Sequence, residues 1–367
     1  MTIIYLGRKG AGPVYSIEMT KSLMEIGCQI LAVISSNSEN IDKWRSLARD
    51  NSNLALIEMQ TSDSKIQILK SLILKGKYRS IVMAVKAFQP DCVYLPMISV
   101  YATFIVKQLS EFKILTTIHD VNQHLGEKNY IIDRLFNDIV RKSNEIITLS
   151  EKFIPEISRK YDIPEKHIHH IPHANFNYYR SNEKTHTPLT SERLNNRILF
   201  FGRIKKYKGL SILLKALRIV IGELPYVRLS IYGSGELTEE ENKLLIELHN
   251  HIDLNLRWIS ENEIESIFMN IDLCVVPYVE ASQSGVIPLS YSMGKGVIVS
   301  DIGGLSEQVN NKIGKLVQSN NPEELAKIII DLYYNPARIV EMGKNALNYA
   351  NEELSWKKSS LKLLQCI

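Results

Sequence analysis

Short apolar runs alternate with stretches of helical periodicity along almost all of these 367 residues. Residues 2–6, 29–34, 92–95, 113–118 and 145–149 are runs of this kind. Between the first two, Pro13 suits a first helical turn, Ile17, Met19, Leu23 and Ile26 form an apolar face, and Gly27 stops the helix. Runs that are apolar throughout belong to strands covered on both faces, so the chain is predicted to wind parallel sheets in β-α-β units. Polar residues and Pro188 interrupt the pattern over 181–196, a predicted linker. It restarts with strands at 197–202, 226–232, 254–258, 271–276 and 296–300. Helices are predicted at 209–222, 238–250 and 261–270, from near Ser284, and at about 322–334, 335–350 and 355–366. The predicted fold class is α/β, with two doubly wound Rossmann-like domains, 1–180 and 197–350, facing a central cleft.

Composition removes several function classes. No apolar stretch reaches the 18 residues or so that a membrane-spanning helix needs. The start, Met1-Thr2-Ile3-Ile4-Tyr5-Leu6-Gly7, reads as a first strand, and no signal peptide is expected. Cys28, Cys92, Cys274 and Cys366 are far apart, which predicts free thiols in a reducing cytosol. Residues 1–180 carry 23 Lys and Arg against 18 Asp and Glu, while the remainder carries 21 against 22. The excess gathers at Lys65, Lys70, Lys75, Lys77, Arg79 and Lys86, interleaved with apolar residues. That stretch reads either as an ordinary amphipathic surface helix or as a contact for anionic lipid. Neither the field nor the stacking aromatics of a nucleic-acid site are present.

The densest chemical signal is Phe200-Phe201-Gly202-Arg203-Ile204-Lys205-Lys206-Tyr207-Lys208-Gly209. A strand ends at Gly202, and Arg203 and Lys208 follow before a helix opens. Open α/β sheets bind ligands beyond the carboxyl ends of their strands, and paired cations there suit a diphosphate leaving group. The run Glu280-Ala281-Ser282-Gln283-Ser284-Gly285-Val286 follows another strand, and small residues at a helix start offer amides to phosphate. Gly233 and Gly235 either line a nucleotide crevice or make a turn. Trp258 and Ile259 end a predicted strand; there the backbone can read a nucleobase edge, or Trp258 packs in the core. Gly7, Gly10 and Gly12 form a loop that admits a ligand close to the backbone, or a plain tight turn. His119 ends a buried strand, placed to donate a hydrogen bond to a sugar hydroxyl or phosphate, or else a structural histidine capping its own strand. Asp120, His124 and Glu127 follow as candidate acceptor contacts. His167, His169, His170 and His173 match a metal cluster by count, but strand alternation sends their side chains to opposite faces. No metal site is expected there.

In order and spacing these segments together resemble the retaining, group-1 (family 4) glycosyltransferases of the GT-B fold, in their Gln-Ser-Gly subgroup. The resemblance rests on Gly10–Pro13, Ile118-His119-Asp120, Ile171-Pro172-His173, the Gly-Arg-x(4)-Lys-Gly run at 202–209, the run 283–289, Gly294–Ile298 and Gly303-Gly304. It implies a nucleotide-sugar donor in the C-terminal domain and a glycan or lipid-linked acceptor in the N-terminal one. Arg203 and Lys208 then neutralise the leaving diphosphate, and His119 lies near the transferred sugar. Gly12, Gly202, Gly233, Trp258, Ile259, Glu280, Ser282, Gln283, Ser284, Gly285 and Val286 serve the donor. The two cations take the place of a divalent metal, so neither metal nor cofactor is expected. Ser355-Trp356 resembles the start of the family's last helix, which returns to the first domain over about 351–367. The chain departs from the family at Ala174, where a glycine is usual, and at Ser282 and Ser290, where many members carry a Glu-x(7)-Glu pair. Glu280 is the nearest substitute. The implied role is assembly of cell-surface polysaccharide (O-antigen, capsule or exopolysaccharide) in the cytoplasm, with peripheral contact to the inner membrane surface. A non-catalytic partner subunit of the same fold and a nucleotide-sugar 2-epimerase are the alternatives.

Overall fold

The structure is a computed structural model and describes residues 1–62, 75–121, 130–180, 190 and 194–367. Two compact units emerge: residues 1–121, 130–172 and Trp356–Ile367 make the first, and His173–Ser355 makes the second.

The first unit is built on a seven-stranded parallel sheet of order β3-β2-β1-β4-β5-β6-β7. The strands are β1 (Thr2–Tyr5), β2 (Ile30–Ser35), β3 (Leu54–Met59), β4 (Cys92–Leu95), β5 (Lys113–Ile118), β6 (Glu145–Thr148) and β7 (Ile168–His170). Every residue of β1, β2 and β4 is buried, as expected of strands covered by helices on both faces. Ile4, Val33, Val85, Val93 and Ile105 share one core cluster. The predicted basic stretch begins outside the described residues; its later part is the helix Lys75–Phe88.

The second unit carries a six-stranded parallel sheet of order β10-β9-β8-β11-β12-β13. Its strands are β8 (Arg197–Phe201), β9 (Arg228–Gly233), β10 (Ile252–Leu256), β11 (Leu273–Val276), β12 (Gly296–Ser300) and β13 (Gly314–Val317). Phe200, Leu213, Leu217, Ile231 and Val275 share its core. No helix among the described residues is long and apolar enough to cross a membrane.

Three expectations change. β3 and β13 have no counterpart among the predicted strands, and β10 starts two residues earlier than predicted. The boundary between units falls at His173 rather than after Arg180, for a physical reason. Asn175 N–H donates to Leu354 O at 2.7 Å, Asn175 Nδ2 to Ala350 O at 3.0 Å, and Phe176 N–H to Ser292 Oγ at 2.7 Å. These bonds fasten the segment to helices of the second unit. The helix Trp356–Leu364 belongs to the first unit, where Ser360 Oγ lies 2.7 Å from Ser22 Oγ on the helix Ala11–Glu25.

Candidate donor site and its relatives

In the second sheet β8 is flanked by β9 on one side and β11 on the other, so the winding reverses between β8 and β11. A doubly wound sheet opens a crevice at such a reversal, beyond the carboxyl ends of the two strands. Arg203 and Lys208 follow β8, and Tyr278 through Val286 follow β11. The fold therefore brings the two strongest sequence signals to the same switch point.

Lys208 is held there. Its Nζ donates to Tyr278 Oη at 2.7 Å and lies 4.6 Å from the centre of that ring. Ser284 Oγ donates to the same Tyr278 oxygen at 3.3 Å. Burial pushes the Tyr278 hydroxyl well above its ordinary pKa, while the Ser284 bond and the Arg203 charge act against that rise. Tyr278 thus stays neutral, as an acceptor for the ammonium. Gly202 makes the approach possible: with φ +110°, it takes a conformation that favours glycine, and an added Cβ would stand 3.3 Å from Lys208 Nζ.

The amides around Ser284 are largely committed. Ser284 N–H donates to Gln308 Oε1 at 2.9 Å, and Val286 N–H donates to Ser284 Oγ at 3.3 Å. The expectation of an open row of phosphate-binding amides is corrected accordingly: two of them serve the loop itself. Ser290, one of the two serines at glutamate positions, is fully buried and donates to Lys295 O at 3.1 Å. Its side chain braces the turn after the helix Val286–Ser292. Ser282 is buried and Glu280 half-buried. Gln283 Oε1 is enclosed and accepts no hydrogen bond among the described residues, an acceptor left for a ligand or water.

Gly233 is needed for chain packing. A Cβ there would stand 1.7 Å from Gly202 O, and one on Gly235 would stand 2.1 Å from Ile204 O. Gly202 N–H donates to Tyr232 O and Ile204 N–H to Ser234 O, so the segments after β8 and β9 run side by side. Trp258 is 44% exposed, which excludes the core alternative. It lies beyond β10 rather than in it, beside Ile259 and the N-cap Ser260. Arg257 pairs with Glu263 and, with the Ser260 bonds, holds that carboxyl down to about 2. The loop carrying Trp258 and Ile259 is thereby tied to the helix Glu261–Met269.

Comparison with known proteins decides the architecture. Residues 195–335 match the family model described as Glycosyl transferases group 1. The D-inositol 3-phosphate glycosyltransferase of Paenarthrobacter aurescens is 27% identical over 185 residues, covering 46% of this chain and 42% of that protein. The chain spans about half or less of the length of the curated relatives it matches. Anabaena HepE, solved with UDP-glucose, superposes with a TM-score of 0.71 at 17% identity and covers 100% of both chains. TarM superposes with a TM-score of 0.72 at 12% identity, over 100% of this chain and 98% of its own.

The fold is GT-B. Both Rossmann-like units of the GT-B architecture are present, each with its own parallel sheet.

The first GT-B unit puts His119 just past β5, half-buried against Tyr15, whose ring it meets edge to face at 5.0 Å. His119 Nε2 lies 2.8 Å from Pro96 O and therefore donates to it. Burial lowers its pKa, so the ring is neutral and Nδ1 carries the lone pair. The Nε2 proton thus serves Pro96 O within the first unit. Asp120 is exposed beside it. His124 and Glu127 lie outside the described residues.

Gly12 follows β1 in this unit, but the room it leaves is filled from within. A Cβ on it would stand 2.6 Å from Tyr5 Oη and 3.0 Å from Met97 Sδ, and one on Gly7 would stand 2.5 Å from the same phenol. The open-loop alternative for Gly12 gives way to packing. Two of the clustered histidines share one carboxylate: His169 Nε2 lies 2.7 Å and His167 Nδ1 3.3 Å from Glu145. Among the described residues no group of His, Cys, Asp and Glu is arranged to hold a metal. Sequence reading does not single out Tyr278 or Gln308. The one available signal is that Tyr278 follows Pro277 directly after β11.

Proposed function

We propose that the protein is a retaining, metal-independent glycosyltransferase of the Gln-Ser-Gly subgroup. It would move a sugar from a nucleotide-diphosphate sugar to a glycan or lipid-linked acceptor in cell-surface polysaccharide assembly, on the cytoplasmic face of the membrane. One observation carries the reading: Arg203, Lys208 and the Ser282–Val286 loop converge at the β8/β11 switch point, within the residues that match the group-1 model. Relatives in fold support the donor class, since HepE was solved with UDP-glucose.

The chemistry follows from those residues. The bond between the anomeric carbon and the diphosphate oxygen breaks, and the acceptor oxygen bonds to that carbon on the same face. The acceptor proton passes to the departing phosphate oxygen, so no separate protein base is needed. Arg203 and Lys208 are cations placed where negative charge would grow, the arrangement that favours a transition state over the bound substrate. Hydroxyl and amide groups, rather than paired carboxylates, surround them, a donor set poorly suited to a divalent cation. The second unit is assigned the donor and the first the acceptor, with Asp120 as a contact and His119 accepting from a sugar hydroxyl.

Calorimetric titration with UDP-, GDP-, ADP-, dTDP- and CMP-sugars, with and without EDTA, tests this. Saturable binding of one class is expected, unchanged by EDTA. Arg203→Ala and Lys208→Ala are each expected to lower turnover by roughly 10²–10³-fold. Full turnover in Arg203→Ala would sink the assignment. Binding of the whole panel by neither protein nor variants would favour a non-catalytic partner subunit instead.

A further inference from the structure

Taking the donor site as read above, we infer that Tyr278, directly, and Gln308, through Ser284 and Tyr278, are positioning residues that hold the Lys208 ammonium in place. A lysine is a point charge on a flexible four-carbon stem, so it stabilises a leaving group efficiently only if something fixes it beforehand. Here the fixing runs through four residues that sequence alone does not connect.

Tyr278 is 3% exposed, and its ring meets Tyr207 edge to face at 6.1 Å. Its oxygen has two acceptor positions. Lys208 Nζ takes one and Ser284 Oγ the other, so the phenol sets the ammonium position against Ser284. Ser284 in turn is gripped at both ends of its backbone. Its N–H donates to Gln308 Oε1 at 2.9 Å, and its C=O accepts from Gln308 Nε2 at 3.1 Å. Only a carboxamide fits that pair of contacts, because it offers one acceptor and one donor side by side. Gln308 is anchored as well, its carbonyl accepting from Tyr291 Oη at 2.9 Å. Where paired carboxylates are missing at 282 and 290, this clamp supplies the order of the loop by another route.

The test compares diphosphate with monophosphate binding. Wild type is titrated calorimetrically with UDP, GDP, ADP, dTDP and CDP, and the tightest binder is carried forward with its monophosphate. Tyr278→Phe keeps the ring and removes the acceptor; Gln308→Glu keeps the shape and removes the donor to Ser284 O. Each is expected to weaken the diphosphate about tenfold, as loss of a hydrogen bond to a charged group does, and to leave the monophosphate within about twofold. The double variant is expected to be no weaker than the weaker single one, because both act on one ammonium. Equal weakening of mono- and diphosphate would indicate general disruption and overturn the inference. So would unchanged diphosphate binding in both variants while Lys208→Ala weakens it. Failure of all five diphosphates to bind wild type, or an unaffected Lys208→Ala, would overturn the donor-site reading itself.

Discussion

Lys295 Nζ donates to the backbone carbonyl of Ile271 at 2.8 Å, from a side chain only 4% exposed. Burial pushes its pKa down to about 8, with the Asp272 charge acting against the fall. A lysine depressed in the folded state binds fewer protons there than in the unfolded chain between about 8 and its ordinary 10.5. Its contribution to stability therefore rises with pH through that window. Buried Cys92 and Cys274, pushed up to about 12, act oppositely above their ordinary 9, so the difference from a variant is the useful quantity. The stability of Lys295→Met relative to wild type is expected to fall by about 2 kcal/mol from pH 8 to pH 10, read by urea unfolding. A constant difference would refute the burial assignment.

Asp272 is fully buried and ties the start of β8 to the rest of the second unit. It accepts from Asn195 N–H at 2.7 Å, Arg197 N–H at 2.9 Å and Tyr333 Oη at 3.0 Å. Asp272→Asn turns one acceptor oxygen into a donor facing these groups. A loss of about 2–4 kcal/mol in urea unfolding is expected, larger than for any single surface pair.

Gly209 and Gly222 lie at the two ends of one segment and should respond oppositely to alanine. At Gly209, with φ +67°, a Cβ would stand 2.0 Å from Pro277 O, in the backbone leading to Tyr278. Gly209→Ala is expected to cost about 3 kcal/mol or more and to weaken nucleotide binding with it. At Gly222, inside the helix Leu210–Glu223, a Cβ would meet open space. Gly222→Ala is expected to stabilise by about 0.5 kcal/mol. Thermal unfolding of both variants distinguishes the signs.

The bond from His119 Nε2 to Pro96 O has a spectroscopic counterpart. Nitrogen-detected NMR should show the Nε2–H tautomer with a titration midpoint below 6.5. His119→Gln should retain the fold and impair turnover, whereas a midpoint above 6.5 would restore the ring as a charged donor.

The strands missed in the sequence share a cause. β3 and β13 are sheet edges, as is the misplaced β10. An edge strand is covered less completely, so its residues need not be apolar throughout: β3 carries Glu58, and β10 exposes Leu254 and Leu256. Inner strands such as β2 and β12 are buried at every residue and stand out plainly. The cations were legible because Arg203 and Lys208 flank a strand-ending glycine. The glycines themselves were ambiguous, since Gly12 and Gly233 advertise a lack of side chain without saying whether Tyr5, Gly202 or a ligand uses the space. Gln308 was invisible because its partner, Ser284, lies 24 residues away and meets it only in three dimensions.

Because Trp356–Leu364 lies against Ala11–Glu25, a segment synthesised after the second unit completes the unit synthesised before it. On the ribosome, all seven strands of the first sheet emerge well before the helix that covers Ser22 and meets Tyr15 through Trp356. The first unit must therefore wait, with part of its apolar surface uncovered, while the second is made and folds. Final maturation of the first unit is coupled in this way to translation through the second unit and on to Leu364.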